Sequence, residues 1–148
     1  LEINKFINIS KDFYSNLSFD FSDKEKFNKV FKFIQNRINR LDQISELIIP
    51  FYENINIDDS ELLTIINNDI SKNIFKYWDK NLSENNIVDE DYIQQLVKNT
   101  SQKFDVKGKA IFHPLRIVLF GKPDGPDLFT LISILGIKET QNRLLRYI

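Results

Sequence analysis

Apolar side chains recur at spacings of three and four along most of this chain, and no stretch alternates apolar with polar over a strand's length. That periodicity predicts an all-α protein. Phe27, Val30, Phe31, Ile34, Ile38 and Leu41 form one such series, opened by Ser22 and Glu25 in the Ser-x-x-Glu spacing of a capping box. Asp42 is placed to cap a shorter helix carrying Ile44, Leu47, Ile48 and Phe51, with Pro50 near its end. Asp58, Asp59, Ser60 and Glu61 precede a third series, Leu62, Ile65, Ile66, Ile70, Ile74 and Trp78. Asp89, Glu90 and Asp91 then lead into Tyr92, Ile93, Leu96 and Val97, where acidic residues suit the positive end of a helix dipole. Aromatic residues at this spacing, Phe31, Phe51 and Trp78 among them, are assigned to packing.

The last third reads differently because the strong punctuation gathers there. All four glycines and three of the four prolines lie between Gly108 and Gly136, and only Pro50 comes earlier. Leu115, Val118 and Leu119 give a helix with Pro114 in its first turn and Gly121 as its left-handed stop. Residues 121–127 form a tight, proline-braced loop whose Asp127 can cap a helix from Leu128 to Leu135, closed by Gly136. A final helix from Lys138 to Tyr147 presents Arg143 and Arg146. Arg116 stands beside the loop, and two readings of it are open on physical grounds. It can help seat unstacked bases, which RNA-binding proteins read by stacking and edge contacts, or it can simply bond the loop's own carbonyls.

Charge sharpens the contrast between the two parts. The net charge is −1, yet residues 1–100 hold 12 Lys and Arg against 17 Asp and Glu, whereas residues 101–148 hold 8 against 4. Chance scatter of solvated surface charge also produces such a split, and one helical body is the simplest reading of the periodicity. The 148 residues suffice for one ordinary domain or for two small helical subdomains packed together. With no cysteine and one histidine, His113, thiolate and histidine metal sites and disulfides are excluded. His113 also has no cysteine or second histidine to complete a nucleophilic pair, so it is expected to be structural or a polar contact. The acidic runs at Asp58 and Asp89 are read as caps rather than cation sites. Gly121-Lys122 lacks the spacing and the Ser or Thr of a phosphate loop. No metal site and no catalytic residue is expected. No apolar run approaches the roughly 18 residues of a membrane span, and the beginning has no signal-peptide pattern, so a cytoplasmic protein is expected. The lack of any methionine suggests a piece cut from a longer chain.

Residues 108–121 read Gly-Lys-Ala-Ile-Phe-His-Pro-Leu-Arg-Ile-Val-Leu-Phe-Gly, followed by Gly125-Pro126-Asp127-Leu128 and by Leu131-Ile132-Ser133-Ile134-Leu135-Gly136. This resembles the C-terminal signature of bacterial-type glutamyl-tRNA synthetases, in which Gly-Lys/Arg-Ala-Leu-Phe-x-Pro-Leu-Arg-x-Ala-Leu-Thr-Gly precedes a Gly-Pro loop and a closing Leu-Gly helix. The match is tight over about 40 residues. Upstream, Arg37-Ile38-Asn39-Arg40-Leu41 resembles a looser pattern of that family, so the likeness extends over most of the chain. Phe120 departs from the usual threonine, and Ile117-Val118 replaces a smaller pair.

The resemblance implies an α-helical cage of two packed helical subdomains, 1–100 and 101–148, that binds the anticodon of tRNA(Glu), with tRNA(Gln) as a second candidate. It assigns anticodon contacts to Arg116 and to Gly125, Pro126, Asp127 and Leu128, and it gives Arg37 the third anticodon base, with Arg40 competing for that role. Lys107, Lys109 and Lys122 are expected on phosphates. The parent enzyme would attach glutamate using ATP and Mg, but its His-Ile-Gly-His-like and Lys-Met-Ser-Lys-Ser-like motifs do not occur here, so this piece should hold no cofactor and be inactive alone. A monomer is expected. The rival readings are the similar cage of a class I lysyl-tRNA synthetase and a helical protein-interaction module without RNA binding.

Overall fold

The computed structural model describes residues 2–84 and 87–148, and among them every regular element is helical. The helices are α1 (Ile3–Tyr14), α2 (Lys24–Gln35), α3 (Ile44–Tyr52), α4 (Ser60–Asn67), α5 (Asp69–Glu84), α6 (Glu90–Phe104), α7 (Lys109–Phe120), α8 (Leu128–Leu135) and α9 (Ile137–Leu145). The all-α reading stands. Two compact units result, Leu1–Asn54 and Ile55–Ile148. The expected division at residue 100 falls instead inside α6, because α5, α6 and α7 pack together within the second unit.

In the first unit α1, α2 and α3 each pack against the other two. Phe6, Val30, Phe31, Ile34, Ile44, Ile48 and Phe51 form its interior, extended by edge-to-face rings around Tyr14, Phe21 and Phe27. Three local expectations are corrected here. Asp23, not Ser22, caps α2, its carboxylate accepting from the Lys26 amide at 3.1 Å. The Ser22 amide instead donates to Asp20. The helix also stops at Gln35 rather than running to Leu41. The reason is local competition for the backbone: the Asn36 side chain donates back to the Lys32 carbonyl, while Gln43 Oε1 accepts from the Asn39 and Arg40 amides. Asp42 lies within the resulting 3-10 turn, Leu41–Gln43, and does not cap α3.

In the second unit α5 packs against α4, α6, α7 and α9, burying Ile74, Phe75, Trp78 and Leu82. Trp78 Nε1 donates to Thr100 Oγ1 at 2.9 Å, which satisfies the one polar atom of this fully buried ring. Asp59, Asp89 and Asp127 cap α4, α6 and α8 as their positions predicted. The series from Leu62 to Trp78 is nonetheless two helices. Asn68 sits between them with ψ 157°, its side chain accepting from the Ser71 amide and donating to the Ile65 carbonyl. Ile70, counted on the apolar face, is consequently 47% exposed. Pro114 is also not in a first turn, since α7 begins at Lys109 and holds the proline in its interior. Gly121 does end that helix left-handed, at φ +87°. Among the described residues no helix is long and apolar enough to cross a membrane.

Candidate nucleic-acid interface

The end of α7 and the start of α8 build one corner of the second unit. α7 carries Leu115, Ile117, Val118, Leu119 and Phe120 inward, which leaves Arg116 half-buried at the rim. Gly121 turns the chain, and residues 122–127 return it to α8, where Asp127 Oδ1 accepts from the Thr130 amide at 2.9 Å and Oδ2 from the Thr130 hydroxyl at 2.8 Å.

Arg116 and this loop are joined. Its Nε donates to the Pro126 carbonyl at 3.0 Å, and its guanidinium lies 5.4 Å from the centre of the Phe112 ring one turn back. The bond uses one edge of the guanidinium. Its two terminal amino groups, which carry four of the five N–H donors, make no hydrogen bond or ion pair among the described residues. A second device holds the loop. Gly125 rests on the buried Phe120 ring so closely that a Cβ there would lie 2.9 Å from two ring carbons.

The other predicted positions divide by exposure. Asp127, Lys107, Lys109 and Lys122 are exposed and Gly125 is half-buried, whereas Pro126 and Leu128 are buried. The side chains of the last two are therefore covered, and Pro126 has no N–H while its carbonyl already accepts from Arg116 Nε. Arg116 and residues 125–128 are thus brought together within one unit. Arg37 belongs to the other unit, exposed just beyond α2, with its guanidinium 4.9 Å from the Phe33 ring centre. Its rival Arg40 is engaged with Asp42 at 3.1 Å.

Two features escaped the sequence. An apolar groove beside Arg116 runs between α6 and the α7–α8 corner, lined by Ile93, Val97, Phe112, Leu128 and Phe129. Phe112 precedes Arg116 by four residues, a spacing that could have pointed to the groove. Arg143 is the other. Expected on a presented face, it is only 5% exposed, with Nη1 donating to the Leu119 carbonyl at 2.8 Å and Nε to Glu139 at 3.0 Å. Desolvation, the largest influence, pushes its pKa below the usual arginine value against the opposing pull of Glu139. This arginine is a strut under the last turn of α7, not a contact. Among the described residues no group of three or more His, Cys, Asp or Glu is arranged to hold a metal ion.

Comparison with known proteins gives this corner its context. The family described as "Anticodon binding domain" matches residues 5–148. A glutamate–tRNA ligase of Sulfurihydrogenibium sp. (strain YO3AOP1) is 32% identical over 133 residues, covering 86% of this chain and 27% of the relative. Another, from Carboxydothermus hydrogenoformans, is 25% identical over 149 residues, covering 97% and 31%. The chain therefore spans roughly a quarter to a third of the length of these relatives. In fold it matches the solved structure of a glutamate tRNA ligase from Elizabethkingia meningosepticum, with a TM-score of 0.82 at 17% identity over 99% of this chain and 29% of that one. A profile match over nearly the whole length shows that the chain belongs to the anticodon-binding domain family, as a homologue of that region of bacterial-type glutamyl-tRNA synthetases.

Proposed function

We propose that this chain reads the anticodon of tRNA(Glu) for a glutamate–tRNA ligase of the cytoplasm, acting as a monomer, and that Arg116 is its principal base contact. The observation that carries this is the division of labour within one guanidinium. Nε is fixed to the Pro126 carbonyl while the terminal amino groups are uncommitted among the described residues. An arginine so anchored presents a donor pair at a set angle, the geometry that reads a base edge. The loop bond and the base contact are therefore compatible. The 125–128 backbone supplies further polar groups at the same corner, and Lys107, Lys109 and Lys122 engage phosphates. Arg37, braced over Phe33, takes the third anticodon base in preference to Arg40, whose guanidinium is occupied by Asp42.

The test is a titration of the chain against tRNA(Glu) and anticodon-substituted transcripts at two salt concentrations. Arg116→Ala should cost about 1–3 kcal/mol with the cognate anticodon and flatten base preference, whereas Lys122→Ala should weaken all transcripts alike. Equal losses for cognate and substituted tRNA in the arginine variant refute the assignment. Including tRNA(Gln) decides whether that RNA is also accepted.

A further inference from the structure

A second convergence of cations and rings lies away from this corner, on α5 and α6. Lys72, Lys76 and Lys80 recur every four residues, so they share one face of α5. Like charges at that spacing repel, and a helix ordinarily relieves them with carboxylates a turn away. Here none of the three forms an ion pair among the described residues, and neither does Lys103 of α6. Lys103 leans over the same face, its Nζ 5.4 Å from the centre of the Tyr77 ring and 5.8 Å from that of Phe104. The two rings meet edge to face at 5.7 Å. Lys76, Lys80 and Lys103 line a trough of about 400 Å³ together with Tyr77, Phe104, Asn73 and Asn81, and Glu84 is its one acidic lining residue. Three lysines against one carboxylate leave it at +2 in a chain whose net charge is −1.

We propose that this α5–α6 trough binds the sugar–phosphate backbone of an RNA strand. Lysines four residues apart on a helix are spaced by about 6 Å, comparable to successive phosphates on a strand, so Lys76 and Lys80 can engage neighbouring phosphates while Lys103 closes the opposite wall. Tyr77 and Phe104 give the trough an aromatic surface for a ribose or base. Cations interleaved with rings favour a nucleic acid, whose every nucleotide brings a base to stack, over an acidic peptide, whose carboxylate side chains bring none. Phosphate contacts position a strand without reading its sequence, so the trough complements the anticodon site without depending on it.

The experiment uses the full chain with Lys76→Gln, Lys80→Gln and Lys103→Gln combined, titrated with tRNA(Glu), an anticodon-substituted transcript and an oligouridylate across a salt series. A thermal melt checks folding, which should change little, because the three lysines are exposed and outside any ion pair among the described residues, and only Lys103 gives up contacts, with the Tyr77 and Phe104 rings. Lys5, Lys11 and Lys24, also exposed, are changed to Gln together as a control of equal charge. In the trough variant all three RNAs should lose affinity by about tenfold or more, and the slope of log K against log salt should fall by about 2. The control should lose much less. An unchanged slope, or an equal loss in the control, overturns the proposal, as does polyglutamate displacing the oligouridylate as well as poly(U) does. Retained cognate preference in the trough variant together with its loss in Arg116→Ala separates the two sites. If Arg116→Ala leaves preference intact while the trough variant loses slope, the trough stands and the anticodon assignment falls.

Discussion

Replacing Arg143 by methionine tests whether the end of α7 is held by the strut beneath it. Helices leave their last carbonyls without intrahelical partners, and in α7 the Leu119 carbonyl is satisfied by Arg143 Nη1 at 2.8 Å in a buried setting. Methionine keeps most of the apolar stem but cannot donate. Orphaning that carbonyl costs about 1–3 kcal/mol. The lost pairing with Glu139 adds less than about 1 kcal/mol, because that side chain is 34% exposed and can rehydrate. Against these stands a gain. The guanidinium is no longer desolvated, and the lowered pKa of Arg143 shows that its surroundings disfavour the charge. The orphaned carbonyl should win, for a net loss of about 2 kcal/mol and a fall of about 4–8 °C in melting temperature. Urea and thermal unfolding measure the loss directly. Arg143→Lys should fall between, since one ammonium cannot reproduce the fork that bonds Leu119 and Glu139 together. A cycle with Glu139→Gln separates the ion pair from the carbonyl bond. A methionine variant as stable as the parent would refute the reasoning, because the carbonyl would then need no partner.

Two further outcomes follow from single contacts. Burial pushes the Tyr52 hydroxyl up to about 12, with Asp23 and Asp20 adding to the effect. The folded chain then keeps a proton that the unfolded chain releases from about pH 10. That share of stability is complete below pH 10 and is lost as the pH rises through 12. Tyr52→Phe should flatten this alkaline decline in urea unfolding without weakening the fold at pH 7, since the buried hydroxyl has no hydrogen-bond partner among the described residues; an unchanged alkaline slope contradicts it. Gly125→Ala should displace the 121–127 loop, because its Cβ would meet the Phe120 ring at 2.9 Å and that ring is buried. Fold stability should fall by about 1–3 kcal/mol, cognate anticodon affinity should fall with it, and both should recover in part when Phe120→Leu is added. Unaltered affinity in the single variant would show that this contact does not set the loop.

What the chain made legible, and what it withheld, divides along the range of the interactions concerned. Caps act over three residues, and Asp59, Asp89 and Asp127 could be placed because an acid stood where an apolar series began. The same locality misled at Ser22, where serine and aspartate are adjacent and the geometry favours the aspartate. It misled again at Asn68, a residue that periodicity treats as neutral and whose side chain bonds the backbone on both sides of the break. Arg143 shows the opposite limit. Its own helix gives no reason to bury a cation, and burial is decided by a carbonyl 24 residues earlier. The candidate site combines both ranges. The loop's prolines and Asp127 announced a rigid corner, but spacing could not say whether Arg116 would serve the loop or a ligand. Its Nε bond to Pro126 spends one donor of five, so fixing the loop and presenting the remaining donors are parts of one arrangement. That bond is what makes the guanidinium's orientation definite enough for base discrimination to be worth testing.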